Sequence, residues 1–301
     1  MLLQSVMEFI TENIRTPVRK FFFALFREPP VRKRMVARLK SAEGRQYWVE
    51  GGDLDGVIAC LRRNPVAAFP SEFSKKYNCK KLYGRIAFDS EADRFYVLHK
   101  NRKICMKKGW SKKRAAVYFN SLLIEQDKVS PHCYRPDELK LTGDEVVVDA
   151  GAAEGIAASE LLERVKRIFV FDMDEGWLDS LHWTFRDTDK VVIVPKGLGA
   201  KSEGEITTLD DYFKGERIDL IKADIEGAEC DMVRGGRVTL SGAKRAVICA
   251  YHRENDARDL TRAFKDMGFE TQLSVGYMIP GDVEELKPPY LRRGVLFAAK
   301  G

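Results

Sequence analysis

Residues 146–155 read VVVDAGAAEG, an apolar run with an acidic residue near its end, followed at once by glycine and alanine. The apolar run predicts a buried strand, and the glycines predict a tight strand-to-helix turn. In an open α/β sheet, ligands bind beyond the carboxyl ends of the strands, where glycine lets the backbone approach them closely. The turn therefore predicts a ligand site, and its candidate contacts are Asp149, Gly151, Ala152, Glu154 and Gly155.

The order of elements after residue 146 predicts the fold class. Strand-like segments alternate with helical patterns, which indicates a parallel sheet with helices on both faces. The last two strand-like segments, FETQLSVGYMI and YLRRGVLFAAK, are joined by a loop without a helix, so we expect them to pair in antiparallel fashion. A mostly parallel α/β sheet that ends in such a hairpin resembles the Rossmann-like fold of class I, S-adenosylmethionine-dependent methyltransferases.

The spacing of glycines and acidic residues indicates which ligand this sheet binds. The D-x-G-x-x-x-G pattern differs from the G-x-G-x-x-G fingerprint that places a pyrophosphate on a helix N-terminus, and Glu154 would repel a pyrophosphate. A cationic ligand suits the turn better, and S-adenosylmethionine carries a sulfonium and an ammonium. Asp172 follows Gly151 by 21 residues, near the offset of about 20 at which a carboxylate binds ribose hydroxyls. Met173 adjoins it as a further cofactor contact, and Asp174 is the alternative ribose ligand.

A third motif carries the most specific signal. The segment DLIKADIEGAE, Asp219–Glu229, delivers Asp224 and Glu226 at the end of another strand, on the same side of the pleat. With TTLDDYF upstream and ICAYH downstream, residues 140–278 resemble the FkbM family of methyltransferases. The resemblance implies S-adenosylmethionine as the cofactor and O-methylation of a hydroxyl on a sugar, a glycan or another small metabolite.

Two positions depart from the usual pattern of that family. The first loop has Ala153 where asparagine is usual, which removes a polar side chain from the cofactor loop. The second strand ends in Asp172 where glutamate is usual, which shortens the ribose-binding carboxylate by one methylene.

A hydroxyl acceptor must lose its proton, so a base within hydrogen-bond reach is expected. The candidates end strands on the ligand side and are His252, Glu226 and Asp224. Histidine has the best intrinsic pKa for this task, so His252 is the first choice, and the carboxylates are expected to bind cofactor or orient substrate. The alternative is a His252 that is merely hydrogen-bonded at its strand end. Asp149, Asp224 and His252 could together surround Mg²⁺, but no D-x-D-type cluster is evident and no His/Cys cluster has zinc spacing, so no metal site is predicted.

The two parts of the chain differ in charge. Residues 1–140 contain 29 Lys and Arg against 15 Asp and Glu, whereas residues 141–301 contain 22 against 30. We predict a basic N-terminal extension at 1–140, for acceptor binding or assembly, and a methyltransferase domain at 141–301. Within the extension, RFYVLHKNRKICM predicts a β-hairpin that turns at Lys100–Asn101, and Ser111 is placed to cap a following helix.

Residues 1–27 contain two short amphipathic patterns with basic side chains. They predict helices that dock on the protein itself or on a second copy, and the alternative is peripheral contact with an anionic membrane surface. Basic residues do not precede the apolar run as in a secretory signal, and the scattered cysteines suit a reducing compartment. We therefore expect a cytoplasmic protein, at the inner face of the membrane if these helices bind lipid.

Two other functions stay open on sequence alone. The basic runs RKRMVARLK and KKGWSKKR would suit a methyltransferase that acts on nucleic acid, although charged runs are more often solvated surfaces and no recognition motif accompanies them. A non-catalytic S-adenosylmethionine-binding module would keep the fold without turnover. Steeply salt-dependent binding of DNA or RNA would support the first, and formation of S-adenosylhomocysteine would exclude the second.

Overall fold

A computed structural model describes residues 28–41, 53–280 and 290–301. Within these ranges no helix combines the length and the apolar character that crossing a bilayer requires. The amphipathic helices expected in residues 1–27 lie outside the described residues, so their docking and their membrane contact stay predictions.

The chain divides into two compact units. The first combines Met1–Glu72 with Tyr277–Arg292, and the second combines Phe73–Gly276 with Arg293–Gly301. The boundary expected at residue 140 falls inside the second unit. The separate role assigned to residues 1–140 therefore stays a prediction.

In the described part of the first unit, two α-helices surround an apolar core. They are α1, Glu28–Lys40, and α2, Leu54–Arg63. On α2 the apolar residues recur at helical spacing, so that one face is buried against α1. Asp53 caps α2 by accepting a hydrogen bond from the backbone N–H of Gly56 at 2.8 Å.

The expected hairpin is present in the second unit, enlarged by one strand. Three antiparallel strands follow one another, namely β1, Ile86–Asp89; β2, Arg94–His99; and β3, Arg102–Cys105. Lys100 and Asn101 join β2 to β3 with φ angles of 44° and 69°. Positive φ at both positions is the backbone of a type I′ turn, whose twist matches the flanking strands.

Two helices pack on this small sheet, α3, Cys79–Tyr83, and α4, Lys112–Glu125. Ser111 caps α4 as expected, since its hydroxyl accepts a hydrogen bond from the backbone N–H of Arg114 at 3.2 Å. The cluster beneath α4 also contains Ile156, which begins the helix that follows β4, Val146–Ala150. The small sheet therefore packs against a helix of the larger α/β layer.

A seven-stranded sheet forms the main layer of the second unit. The remaining strands are β4, Val146–Ala150; β5, Arg167–Phe171; β6, Val191–Val194; β7, Gly197–Leu198; β8, Ile206–Thr207; β9, Leu220–Ala223; β10, Arg245–Cys249; β11, Glu270–Leu273; and β12, Val295–Ala299. The sheet order is β11-β12-β10-β9-β4-β5-β6, and β7 pairs with β8 alone. All neighbours in the large sheet are parallel except β12, which is antiparallel to β10 and to β11. The predicted α/β fold with a C-terminal antiparallel pair is confirmed.

Helices cover both faces of this sheet. They are α5, Ile156–Leu161; α6, Glu175–Thr184; α7, Leu209–Phe213; α8, Glu229–Gly235; α9, Arg237–Gly242; and α10, Asp256–Asp266. Because successive strand residues point to opposite faces, β4 sends Val148 to one apolar cluster and Val147 to the other. Helices α7 to α10 cover the first cluster, and α5 and α6 cover the second. The parallel strands thus deliver their carboxyl ends to one edge.

Ion pairs join basic residues of the segment 73–140 to acidic residues of the segment 141–276 within the second unit. The guanidinium of Arg94, almost fully buried, lies 2.6 Å from a carboxylate oxygen of Asp179. Further pairs of the same kind are Arg102–Asp187 and Lys107–Asp174, each at 2.6 Å, and Lys100–Glu160 at 3.2 Å. Part of the opposite net charge of the two regions is therefore neutralised inside this unit.

Candidate active site

A cavity of 440 Å³ opens beyond the carboxyl ends of β4, β5, β6 and β9. Its volume falls in the range of about 300–1,000 Å³ that is typical of small-molecule sites. Five of the predicted site residues line it, namely Gly151, Asp172, Met173, Asp224 and Glu226. The other lining side chains include Phe171, Trp177, Leu198, Ile206 and Ile225. Three motifs that are far apart in the sequence therefore meet in one cleft.

The turn after β4 needs glycine at its first position. Gly151 has a φ of +70°, and a Cβ there would lie 1.8 Å from the backbone oxygen of Asp224. Gly155 begins α5 with a φ of +82°, and Ala152 is buried in the core. Ala152 and Gly155 therefore shape the turn without lining the cavity. Ala153 lines the cavity and has a φ of 46°, a backbone conformation that favours glycine and asparagine.

The carboxylate of Asp172 is fixed in the cavity by the backbone. It accepts a hydrogen bond from Ala153 N–H at 2.8 Å and another from Asp174 N–H at 2.9 Å. Asp174 instead caps α6, accepting from Trp177 N–H at 3.0 Å, and it also pairs with Lys107. Of the two candidates for ribose binding, the geometry favours Asp172, because the charge of Asp174 is paired with Lys107, whereas the partners of Asp172 are uncharged backbone N–H groups.

Asp149 lies behind the turn and does not line the cavity. Its carboxylate is 1% exposed and lies 2.9 Å from the Nζ atom of Lys222, which is buried as well. Burial raises the pKa of Asp149, and the ion pair with Lys222 opposes that shift. Lys222 also donates a hydrogen bond to the backbone oxygen of Gly151 at 2.8 Å. The Asp149–Lys222 pair therefore holds the turn after β4 in place from the core side.

Glu154 is likewise turned away from the cavity. Its side chain is 2% exposed and accepts a hydrogen bond from the hydroxyl of Tyr118 on α4 at 2.6 Å. Burial raises the pKa of Glu154 to about 7. Trp110, Tyr118 and Trp177 form an aromatic cluster beside this pair, and Trp177 also lines the cavity. Tyr118 on α4 therefore supports the turn after β4.

His252 lies between three carboxylates at the end of β10. Its Nδ1 atom is 2.9 Å from Glu229, whereas its Nε2 atom is 3.5 Å from Asp224 and 3.5 Å from Glu226. Glu229 is fully buried, and it also accepts a hydrogen bond from Ile225 N–H at 2.9 Å. Burial lowers the pKa of His252, but Glu229 and the two other carboxylates outweigh burial and raise that pKa above its ordinary value.

Asp224 connects His252 to the segment that precedes β4. It accepts a hydrogen bond from the hydroxyl of Tyr134 at 2.7 Å, and its Oδ2 atom lies 3.4 Å from Nε2 of His132. Burial raises the pKa of Asp224, but His132, Lys222 and His252 outweigh burial and hold that pKa well below its ordinary value. Asp224 is therefore an anion at neutral pH.

Three residues at this site were not among the predicted site residues, namely Glu229, Tyr134 and His132. Glu229 stands five residues after Asp224, at the end of the segment DLIKADIEGAE. It could have been predicted from His252, because a histidine that acts as a base needs a partner that orients its ring. Tyr134 and His132 belong to a loop before the sheet, and no local pattern connects them to Asp224. Only the fold brings them together.

The residues at the cavity fit S-adenosylmethionine by their chemistry. The carboxylate of Asp172 keeps lone pairs for ribose hydroxyls beyond its two backbone partners. Met173 and Leu198 offer apolar contact for an adenine ring. Asp224 and Glu226 give the cavity the negative charge that suits an ammonium and a sulfonium.

Comparisons with known proteins agree with this chemistry. Residues 198–271 match the family model described as the methyltransferase FkbM domain, a segment that contains Asp224, Glu229 and His252. No protein with a curated description matches the chain.

Three similar solved structures have low sequence identity to this chain. One is a putative methyltransferase from Streptococcus mutans in complex with SAH (13% identity, covering 61% of this chain and 97% of that chain, TM-score 0.37). Another is an rRNA methylase from Streptococcus thermophilus (19% identity, covering 54% of this chain and 90% of that chain, TM-score 0.37). A third is a precorrin-6y C5,15-methyltransferase from Geobacter metallireducens (18% identity, covering 55% of this chain and 86% of that chain, TM-score 0.38). The strand order and the match of residues 198–271 to the FkbM domain together assign the fold, and they identify the chain as an S-adenosylmethionine-dependent methyltransferase.

Proposed function

We propose that this enzyme methylates a hydroxyl oxygen on a sugar, a glycan or another small metabolite. The observation that carries the proposal is the ion pair between His252 and Glu229. The buried carboxylate fixes one ring nitrogen, and the other nitrogen faces Asp224 and Glu226, which line the cofactor cavity. A histidine that is oriented in this way is suited to act as a general base toward an acceptor beside the cofactor.

The protein's task in this reaction is to align the acceptor and to take its proton. S-adenosylmethionine supplies the electrophilic methyl group when it is bound, and alignment of the two reactants supplies much of the rate. Neutral His252 accepts the hydroxyl proton at Nε2, and Glu229 stabilises the resulting imidazolium. The raised pKa of His252 makes it a stronger base but keeps more of it protonated near neutrality. Activity should therefore rise with pH through that raised pKa and then level off.

The two carboxylates beside His252 are less suited to be the base. The lowered pKa of Asp224 makes its carboxylate a weak base, and the side chain of Glu226 is 92% exposed to water. Carboxylate oxygens accept hydrogen bonds from several hydroxyls at once. We assign Asp224 and Glu226 to orienting the acceptor or the cofactor, which supports a hydroxyl-rich acceptor.

Nucleic acid is less favoured as the acceptor. Arg94, Arg102 and Lys107, all in the basic extension, are ion-paired with acidic residues of the methyltransferase part. Carboxylates at the cavity would also repel a phosphate backbone. The contact from Tyr134 to Asp224 instead supports a role for the extension in shaping the acceptor side.

The test is formation of S-adenosylhomocysteine with a panel of sugars, glycans and small alcohols, with RNA and DNA in parallel. We expect His252→Gln to lower kcat by about 10²- to 10⁴-fold while calorimetric binding of S-adenosylmethionine is kept. His182→Gln, an exposed histidine on α6, is the matched control and should leave kcat unchanged. Glu229→Gln should move the acidic limb of the pH profile to lower pH, because it removes the carboxylate that raises the pKa of His252.

Each alternative has its own outcome in this assay. Full turnover in His252→Gln would place the base elsewhere. Cofactor binding without S-adenosylhomocysteine from any acceptor would indicate a non-catalytic binding module. Methylation of RNA or DNA, together with an affinity of the protein for that nucleic acid that falls steeply as salt rises, would show that the acceptor is a nucleic acid and not a sugar, glycan or small metabolite.

A further inference from the structure

Three side chains from distant parts of the second unit meet beside Asp224. Nε2 of His132 lies 3.4 Å from Oδ2 of Asp224, and Sγ of Cys249 lies 3.7 Å from the same nitrogen. The three atoms all lie within 4.8 Å of one another. His132 and Cys249 are almost completely buried. A sulfur, an imidazole nitrogen and a carboxylate oxygen therefore converge on one point that water hardly reaches.

We propose that His132, Asp224 and Cys249 bind a divalent cation of the zinc class. With Zn–N and Zn–O of about 2.1 Å, Zn–S of about 2.3 Å and tetrahedral angles, two such ligand atoms lie about 3.4 Å apart for N and O, and about 3.6 Å apart for N and S. The corresponding distances here are 3.4 and 3.7 Å. An imidazole–carboxylate hydrogen bond would be shorter, at about 2.7–3.2 Å. The two distances from Nε2 of His132 therefore match those of ligands around one ion.

Two tyrosines complete the surroundings of this site. The hydroxyl of Tyr251 lies 3.3 Å from Nε2 of His132, the spacing of a fourth ligand. The hydroxyl of Tyr134 donates a hydrogen bond to Oδ2 of Asp224 at 2.7 Å. Such outer partners orient metal-binding carboxylates and are a regular part of metal sites.

The other cluster near Asp224 does not suit a single ion. Glu229 lies beside Nδ1 of His252, whereas Asp224 lies beside Nε2, on the opposite edge of the ring. One ion cannot bind both carboxylates and either nitrogen of that histidine. The proposed site therefore leaves the His252–Glu229 pair intact. It has only Asp224 in common with the cluster of Asp224, Glu229 and His252.

An ion at this site would tie three segments together. His132 precedes the sheet, Asp224 follows β9, and Cys249 ends β10. Zinc binds the thiolate form of cysteine, so uptake should release a proton and weaken at acid pH. The ion would fix the carboxylate that faces His252.

The experiment measures metal content and cobalt uptake of the full chain. Protein purified without chelators, with added zinc and then dialysed, should hold one equivalent of zinc. Titration with Co²⁺ should give a thiolate-to-cobalt charge-transfer band in the near ultraviolet. Both signals should be lost in Cys249→Ser and kept in Cys133→Ser, a matched control because Cys133 is also a buried free cysteine.

Two results would overturn the site. One is zinc far below one equivalent together with no charge-transfer band in the wild-type protein. The other is a band that survives in Cys249→Ser. If Cys249→Ser does not fold, zinc X-ray absorption on the wild-type protein decides, since the site requires a single sulfur ligand among nitrogen and oxygen ligands. No sulfur, or more than one, would contradict it.

Discussion

Replacing Asp172 by alanine tests the cofactor site most directly. Its carboxylate accepts hydrogen bonds from Ala153 N–H and Asp174 N–H, so it is fixed before a ligand binds. A hydrogen bond to a charged group contributes about 1.5–3 kcal/mol, and about 1.4 kcal/mol is a factor of ten in affinity. Loss of the carboxylate–ribose interaction should therefore raise the Kd of S-adenosylmethionine about 10- to 150-fold.

The assay is calorimetric titration of S-adenosylmethionine and S-adenosylhomocysteine into wild-type, Asp172→Ala and Asp174→Ala proteins. Asp174 is the matched control, because it also lines the cavity but serves as the cap of α6. Its removal should cost about 1 kcal/mol of unfolding free energy and leave the cofactor Kd nearly unchanged. Urea unfolding of each variant separates lost binding from lost folding.

One pattern of results would refute this reasoning. If Asp172→Ala bound both ligands as tightly as the wild type while Asp174→Ala lost them, the ribose ligand would be Asp174. The two backbone hydrogen bonds to Asp172 would then serve only to shape the turn.

Three further predictions concern the support of the same turn, each read from urea unfolding. Ala153→Asn should raise the unfolding free energy by about 0.5–1 kcal/mol, since asparagine adopts a φ of 46° more readily than alanine. Tyr118→Phe should lower the unfolding free energy by about 1–3 kcal/mol, and by more above pH 7 than below it, because burial raises the pKa of Glu154 to about 7 and its carboxylate ionises above that pH. Through the same group, wild-type stability should fall as the pH rises from 4.5, the pKa of Glu154 in the unfolded chain, toward 7. Lys222→Met should cost about 3–5 kcal/mol by leaving Asp149 unpaired, and Asp149→Asn in the same chain should recover part of that loss.

The sequence predicted the fold and the edge of the sheet at which the cofactor is expected to bind, because both follow from local patterns. Strand and helix alternation fixed the parallel sheet, and parallel strands bring their carboxyl ends to one edge. Asp172 and Asp224 could be placed there from their positions at strand ends alone. The family match later covered the second of these motifs.

The direction of each side chain was beyond such patterns. Asp149 and Glu154 stand in the cofactor turn, yet one pairs with Lys222 and the other with Tyr118, both in the core. A carboxylate at a strand end can face the ligand or the core, and the choice depends on a partner supplied by another element. The contact from Tyr134 to Asp224 was unpredictable for the same reason.

The two departures from the family pattern are one structural feature. Ala153 has a backbone conformation that costs a non-glycine residue about 1–2 kcal/mol, and the asparagine that is usual in the family adopts it more easily. Here the N–H of Ala153 donates to the carboxylate of Asp172, a charge-assisted hydrogen bond of about 1.5–3 kcal/mol. That bond offsets the conformational cost of alanine. The aspartate therefore compensates for the missing asparagine by holding the turn itself, while the remaining lone pairs of its carboxylate stay available to the cofactor.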